Sequence, residues 1–129
     1  MTKRILDVGQ CNPDHTTIRH FLTTHFSGAE VVRAHLYKDA MQQLADEKFD
    51  LVLVNRLLDQ DHSEGAEIVK AMQADENLKS VPVMIVSNFE DAQDAAEKLG
   101  ARRGFGKAAL LAREGGEAEV LELLKPILG

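Results

Sequence analysis

Two rhythms of apolar residues alternate along the chain. Residues 4–8, 29–34, 49–55 and 81–87 are short runs rich in Ile, Leu, Val and Ala, the length and makeup of buried strands. Between them apolar residues recur at helical spacing. Ile18, Phe21, Leu22 and Phe26 form the first such set, with Asn12 as a cap, Pro13 at the first helical position and Gly28 as the stop. Met41, Leu44 and Ala45 predict a second helix over residues 39–47. Ile68, Val69 and Met72 predict a third over 63–74. Ala92, Ala95, Ala96 and Leu99 predict a fourth over 90–99, closed by Gly100. Residues 102–106 read as a short fifth strand weakened by its glycines. Val120, Leu121, Leu124, Ile127 and Leu128 predict a last helix over 117–128, with Pro126 disturbing its final turns.

Strand–helix alternation of this kind predicts an α/β fold of three layers, a (βα)5 chain with a five-stranded parallel sheet covered on both faces. Its connections should be right-handed, and the apolar third and fourth strands should lie at its centre. Pro82 is tolerable at the start of the fourth strand, where a lost donor matters least. There is no internal repeat and no linker, so residues 1–129 read as one domain. Arg113-Glu114-Gly115-Gly116 is the one flexible-looking stretch.

Composition narrows the function classes. The chain has 129 residues, 44% hydrophobic and 28% charged, which suits a soluble domain with a full core. A net charge of −6 argues against general binding to nucleic acid or an anionic membrane. No apolar run approaches the length of a membrane span, and no cleavage motif precedes the first strand. The lone cysteine, Cys11, cannot form an internal disulfide, so a reducing cytoplasm is the expected compartment.

In an open parallel sheet the functional crevice lies at the carboxyl ends of the strands. Those ends are Gly9-Gln10-Cys11, Asn55-Arg56, Ser87-Asn88 and Lys107. The set resembles the receiver domain of bacterial response regulators. The resemblance covers the whole chain. It rests on Lys-Arg-Ile-Leu at the start, Phe-Asp-Leu-Val-Leu-Val before Asn55, Val-Pro-Val-Met-Ile-Val before Ser87, and Gly100-Ala101 leading to Lys107. It implies a flavodoxin-like fold with strand order 2-1-3-4-5.

The resemblance also shows where this chain departs. A receiver carries two acids after its first strand to hold Mg²⁺; here they are Gly9 and Gln10. It carries a phospho-acceptor aspartate after its third strand; here it is Asn55, whose amide has no nucleophilic carboxylate. The hydroxyl and lysine that grip a phosphoryl group remain, as Ser87 and Lys107. The aromatic switch position is Gly104, with Phe105 beside it, and Ala108 replaces the usual proline. The loop after the third strand, Asp59 to Gly65, is longer. The chain thus resembles a pseudo-receiver that binds no Mg²⁺ and no other cofactor and is not an enzyme. It implies a phosphorylation-independent signalling module acting on a protein partner, or on a second copy, through the face of the fourth helix, fifth strand and fifth helix. The alternative is a small-anion or metabolite sensor using the emptied acid pocket beside Ser87 and Lys107. On this reading, restoring acids together at Gly9, Gln10 and Asn55 is the change that would rebuild a metal pocket.

Other residues carry weaker signals. Asp7 interrupts an apolar strand and must be paired or neutral. It is expected to be solvated at the strand edge or satisfied by local hydroxyls, or else to meet Lys107, Arg56 or a helix N-terminus. His15, His20 and His25 are spaced by five and spiral around their helix, so they do not form a metal site. Asp59 and Asp61 read as solvated loop acids. Gly104-Phe105-Gly106 reads as a flexible mount for Phe105 near the partner face.

Overall fold

The computed structural model describes residues 2–111 and 115–129, so Arg113 and Glu114 of the flexible-looking stretch lie outside the described residues. Its elements are β1 (Arg4–Val8), α1 (Asn12–His25), β2 (Glu30–Ala34), α2 (Tyr37–Asp46), β3 (Leu51–Asn55), α3 (Ala66–Gln73), β4 (Val83–Val86), α4 (Glu90–Lys98), α5 (Ala108–Leu111) and α6 (Gly116–Leu128). The strands pair in parallel in the order β2-β1-β3-β4. This is the flavodoxin-like α/β architecture.

Strand parity divides the core in two. Leu6, Val8, Val52, Val54, Val83 and Ile85 point to one face, where Ala40, Leu44, Ile68, Val69, Met72 and Ala96 cover them from α2, α3 and α4. Ile5, Leu51, Leu53, Met84 and Val86 point to the other, under Ile18, Phe21 and Leu22 of α1 and Val120, Leu124 and Leu128 of α6. Central strands buried on both faces explain the unbroken apolar runs. No helix among the described residues is long and apolar enough to cross a membrane.

Several local expectations need correction. The cap of α1 is Cys11, one position before Asn12. α3 begins at Ala66 because the preceding loop is tied up otherwise: Leu57 bridges Glu64, and the Leu58 N–H donates to the Ser63 carbonyl at 2.9 Å. A short helix, α5, follows Lys107. α6 continues through Pro126, whose missing N–H falls in the last turn.

The fifth strand is the most informative difference. Residues 102–106 take the expected place beside β4, with Arg102 bridging Met84 and its N–H donating to the Val83 carbonyl at 2.9 Å. A regular parallel ladder would next bond the Gly104 N–H to the Ile85 carbonyl. Gln93 of α4 intervenes instead. Its Oε1 accepts from the Gly104 N–H at 2.7 Å, and its Nε2 donates to the carbonyls of Ile85 at 2.9 Å and Ser87 at 3.2 Å. The ladder resumes out of step, with the Ser87 N–H on the Phe105 carbonyl at 3.0 Å. An inserted side-chain amide, as much as the glycines, keeps this segment from forming a continuous strand. The inward residue of α4 next to Ala96 is therefore Gln93, while Ala95 is exposed and Ala92 and Leu99 are half-buried.

Candidate functional site

The sheet gathers the expected residues at its carboxyl edge. Asn55 ends β3 opposite Val86 of β4, so Ser87 lies one residue beyond that pair. Ser87 joins Phe105 by a backbone bond, and Lys107 follows shortly after. Gly9 leaves β1, hydrogen-bonding through its N–H to the Ala34 carbonyl at 2.8 Å.

Position 9 has room for no side chain. Gly9 has φ +76°, a conformation that a Cβ disfavours, and a Cβ there would sit 2.5 Å from Leu58 Cδ2. Leu58 is fully buried. The Gly9 carbonyl accepts from Asn55 Nδ2 at 3.1 Å and from the Asp59 N–H at 3.0 Å. The loop after β3 is thus folded down onto the end of β1, and Leu58 fills the space above Gly9. Asp59 is tied there as well, 3.2 Å from His35 Nδ1, so it is a paired acid and not a solvated one. Asp61 does stay at the surface. Hydrogen bonds from the Ser63 hydroxyl and backbone hold its carboxyl below the ordinary value.

Lys107 has its partners within the chain. Its Nζ lies 2.7 Å from Asp14 Oδ2 and 3.3 Å from Gln10 Oε1. Partial burial pushes the Asp14 carboxyl up, but hydrogen bonds from Lys107 and Cys11 and the lysine's charge outweigh it, leaving Asp14 below its ordinary value. Gln10 is fully buried, and its carbonyl accepts from Arg33 Nη2 at 2.9 Å. Ser87 Oγ accepts from the Phe89 N–H at 3.1 Å, bracing the turn into α4.

Asp7 follows the parity of Ile5 and faces α1, away from β3's crevice residues. It is fully buried, and its Oδ2 lies 2.6 Å from His15 Nδ1. The expected partners of Asp7 were hydroxyls, solvent, Lys107, Arg56 or a helix N-terminus; the actual one is a histidine side chain one turn into α1, near that helix's N-terminal end. Asp7 Oδ1, Gln10 Nε2 and Arg33 Nε make no hydrogen bond among the described residues. Burial raises the Asp7 carboxyl above its ordinary value, and this outweighs the opposing pull of His15, Gln10 and Arg33. The folded chain therefore holds this proton more tightly than the unfolded chain does. Asp7's contribution is most favourable below about 3.8, its ordinary value, and is lost as pH rises through the raised one. Asp7→Asn removes that loss while keeping a hydrogen-bonding group for His15. Urea unfolding at several pH values should show the variant gaining on the parent as pH rises from about 4 toward about 7; a gap that shrinks with pH would refute this assignment.

Phe105 departs from expectation too. It is 6% exposed and packs in the core beneath α1 and α6, so it is no mobile mount at a surface. Gly104 is required by close approach: a Cβ would lie 2.4 Å from the Ile85 carbonyl. Of the histidines, His15 meets Asp7 and His25 rests against Phe21, with ring centroids 4.6 Å apart. No group of three or more His, Cys, Asp or Glu among the described residues is arranged to hold a metal. The donor chemistry at the crevice does not fit a hard cation either. Gly9 offers no side chain and has Leu58 packed over it, and Gln10 Oε1 faces an ammonium.

No family model matches the chain, and no curated protein does. Solved structures do. A putative response regulator from Chloroflexus aurantiacus superposes with a TM-score of 0.79 at 22% identity, covering 99% of this chain and 98% of that one. The chemotaxis response regulator CheY4 of Vibrio cholerae gives 0.73 at 18% identity, covering 99% and 100%. The Mn²⁺-bound form of the response regulator Rcp1 gives 0.73 at 20% identity, covering 98% and 94%. The chain has the receiver-domain fold. Its crevice stands where such folds carry their strand-end loops, but here the residues of that receiver crevice bond chiefly to one another. Sequence reading missed three of them: Leu58, Asp14 and Gln93. Only Asp14 left a signal, as an acid in the first turn of a helix that opens beside Lys107.

Proposed function

We propose that this receiver-fold chain is a non-catalytic signalling module that works by protein–protein contact, without phosphorylation and without Mg²⁺. The observation that supports this most is the closed crevice: Leu58 lies over Gly9 and the Asn55 amide donates to the Gly9 carbonyl. An acceptor needs a carboxylate open to solvent and a cation beside it; this place has a buried leucine and an amide bonded to the Gly9 carbonyl. The small-anion alternative would require Lys107 to exchange Asp14 for a ligand, and nothing favours that exchange.

The contact face on this reading includes α4, the 102–106 segment and α6. A groove of about 590 Å³ opens there, lined in part by Asn88, Arg103, Val120 and Leu123. Arg103 is neutralised in it by Glu90, Asp94 and Glu97 of α4, whose hydrogen bonds and charges raise its already high pKa. Treatment with acetyl phosphate and Mg²⁺ should leave the intact mass unchanged and yield no hydroxylamine-sensitive adduct. An acyl phosphate on this chain, or partner affinity that changes on such treatment, would sink the proposal.

A further inference from the structure

A second groove lies on the opposite flank of α4, between it and the start of α3. It encloses about 500 Å³. Its floor is apolar: Ile85 and Ala96 are buried beneath Ala92, Ala95 and Leu99. Of α4's apolar stripe, Ala92 and Ala95 lie outside the buried core, while Leu99 packs against it. At its rim stands Phe89, 63% exposed, with the Arg56 guanidinium 5.5 Å above its ring. An aromatic ring held this open, in contact with an arginine, has the makeup of an interface anchor.

Charge distinguishes the possible occupants. Glu64 and Asp91 line the same groove, both exposed, and neither has an ion-pair partner among the described residues. Arg56, the cation of the lining, is already placed over Phe89. A second copy of this chain would bring Glu64 and Asp91 against their own likes in a two-fold contact. The net charge of −6 repels acidic partners generally.

We infer that this groove seats a short basic segment of a partner protein, with one apolar side chain on the alanine floor beside Phe89 and Lys or Arg side chains against Glu64 and Asp91. The inference rests on the reading of the chain as a contact module and supplies the chemistry of its partner. It uses a surface apart from the α4, 102–106 and α6 face.

Photocross-linking tests it. Benzoylphenylalanine is placed at Phe89, and separately at exposed Glu122 on the other face, in the full chain. Each is irradiated in lysate of the source cell, and the cross-linked peptides are sequenced. The expected result is capture at Phe89 of a segment with an apolar residue flanked by Lys or Arg. That capture should fall at least tenfold with Ala95→Arg, which fills the floor and adds a positive charge at an exposed position, with an unchanged melting temperature as the control. Capture at Phe89 of an acidic or uncharged segment, capture of this chain itself, or capture indifferent to Ala95→Arg overturns the inference. Cross-links at Glu122 alone overturn it while leaving the contact-module reading intact. Cross-links at neither position overturn both.

Discussion

Gly9→Asp is expected to cost about 2–5 kcal/mol of stability and to bring no phosphoryl chemistry, even combined with Gln10→Asp and Asn55→Asp. Two strains add up. The backbone at position 9 has φ +76°, and the new Cβ would overlap Leu58 Cδ2 at 2.5 Å. The neighbouring changes bring strain of their own. A carboxylate at position 10 would keep the attraction of Lys107 but sit fully buried near Asp7 and Asp14. A carboxylate at position 55 would lose the donated bond to the Gly9 carbonyl and face that oxygen as an acceptor. The idea that three restored acids rebuild a metal pocket, natural from the sequence, is therefore expected to fail on packing. Urea unfolding checks it, in a cycle with Leu58→Ala. If Leu58 is the obstacle, Gly9→Asp should cost less in the Leu58→Ala background than in the parent. Additive effects would place the whole cost in the backbone and refute the packing account.

How much of this was legible beforehand follows from the range of the interactions involved. The layers came from short apolar runs and helical spacing, which are local signals that a continuous core enforces, while the strand order came only from the resemblance to receiver domains. The receiver-like strand ends were legible as well, because each is set by where one strand stops. The state of the crevice was not. Asn55 marks a missing carboxylate in the sequence, but only the fold shows that Leu58 comes down over Gly9, since that depends on how a long loop closes. Asp7 looked like a problem within its own strand, and its answer lay in His15, a residue assigned to a helix surface. α4 misled for a related reason. Alanines at helical spacing mark an apolar face, yet alanine is small enough to line a groove, and a glutamine among them gave no sign of being the buried member.

That glutamine carries the second large expectation. Gln93→Leu should destabilise the fold by about 3–5 kcal/mol, since it strands the buried Gly104 N–H and the carbonyls that Nε2 now serves. An apolar side chain of similar size keeps the volume and removes every one of these bonds, so the loss reports on polar satisfaction and not on a cavity. Gln93→Glu is the sharper probe. Its carboxylate could still accept from the Gly104 N–H, but its other oxygen would meet the Ile85 and Ser87 carbonyls with no proton to share. Burial and those carbonyls should therefore raise the introduced carboxyl above its ordinary value of about 4.3. A group with a raised folded pKa contributes its stability below the unfolded value and loses it as pH rises through the folded one. The variant should thus approach the parent in acid and fall away from it toward neutrality, as read by urea unfolding across that range. The same variant tests why the segment beside β4 is not a strand. If the inserted amide diverts the Gly104 N–H from the Ile85 carbonyl, loss of its donor at neutral pH should speed hydrogen exchange at Gly104 and Ser87 while β1 to β3 stay protected. Unchanged exchange at both amides, with stability independent of pH, would mean that the glycines alone set the shape of this edge.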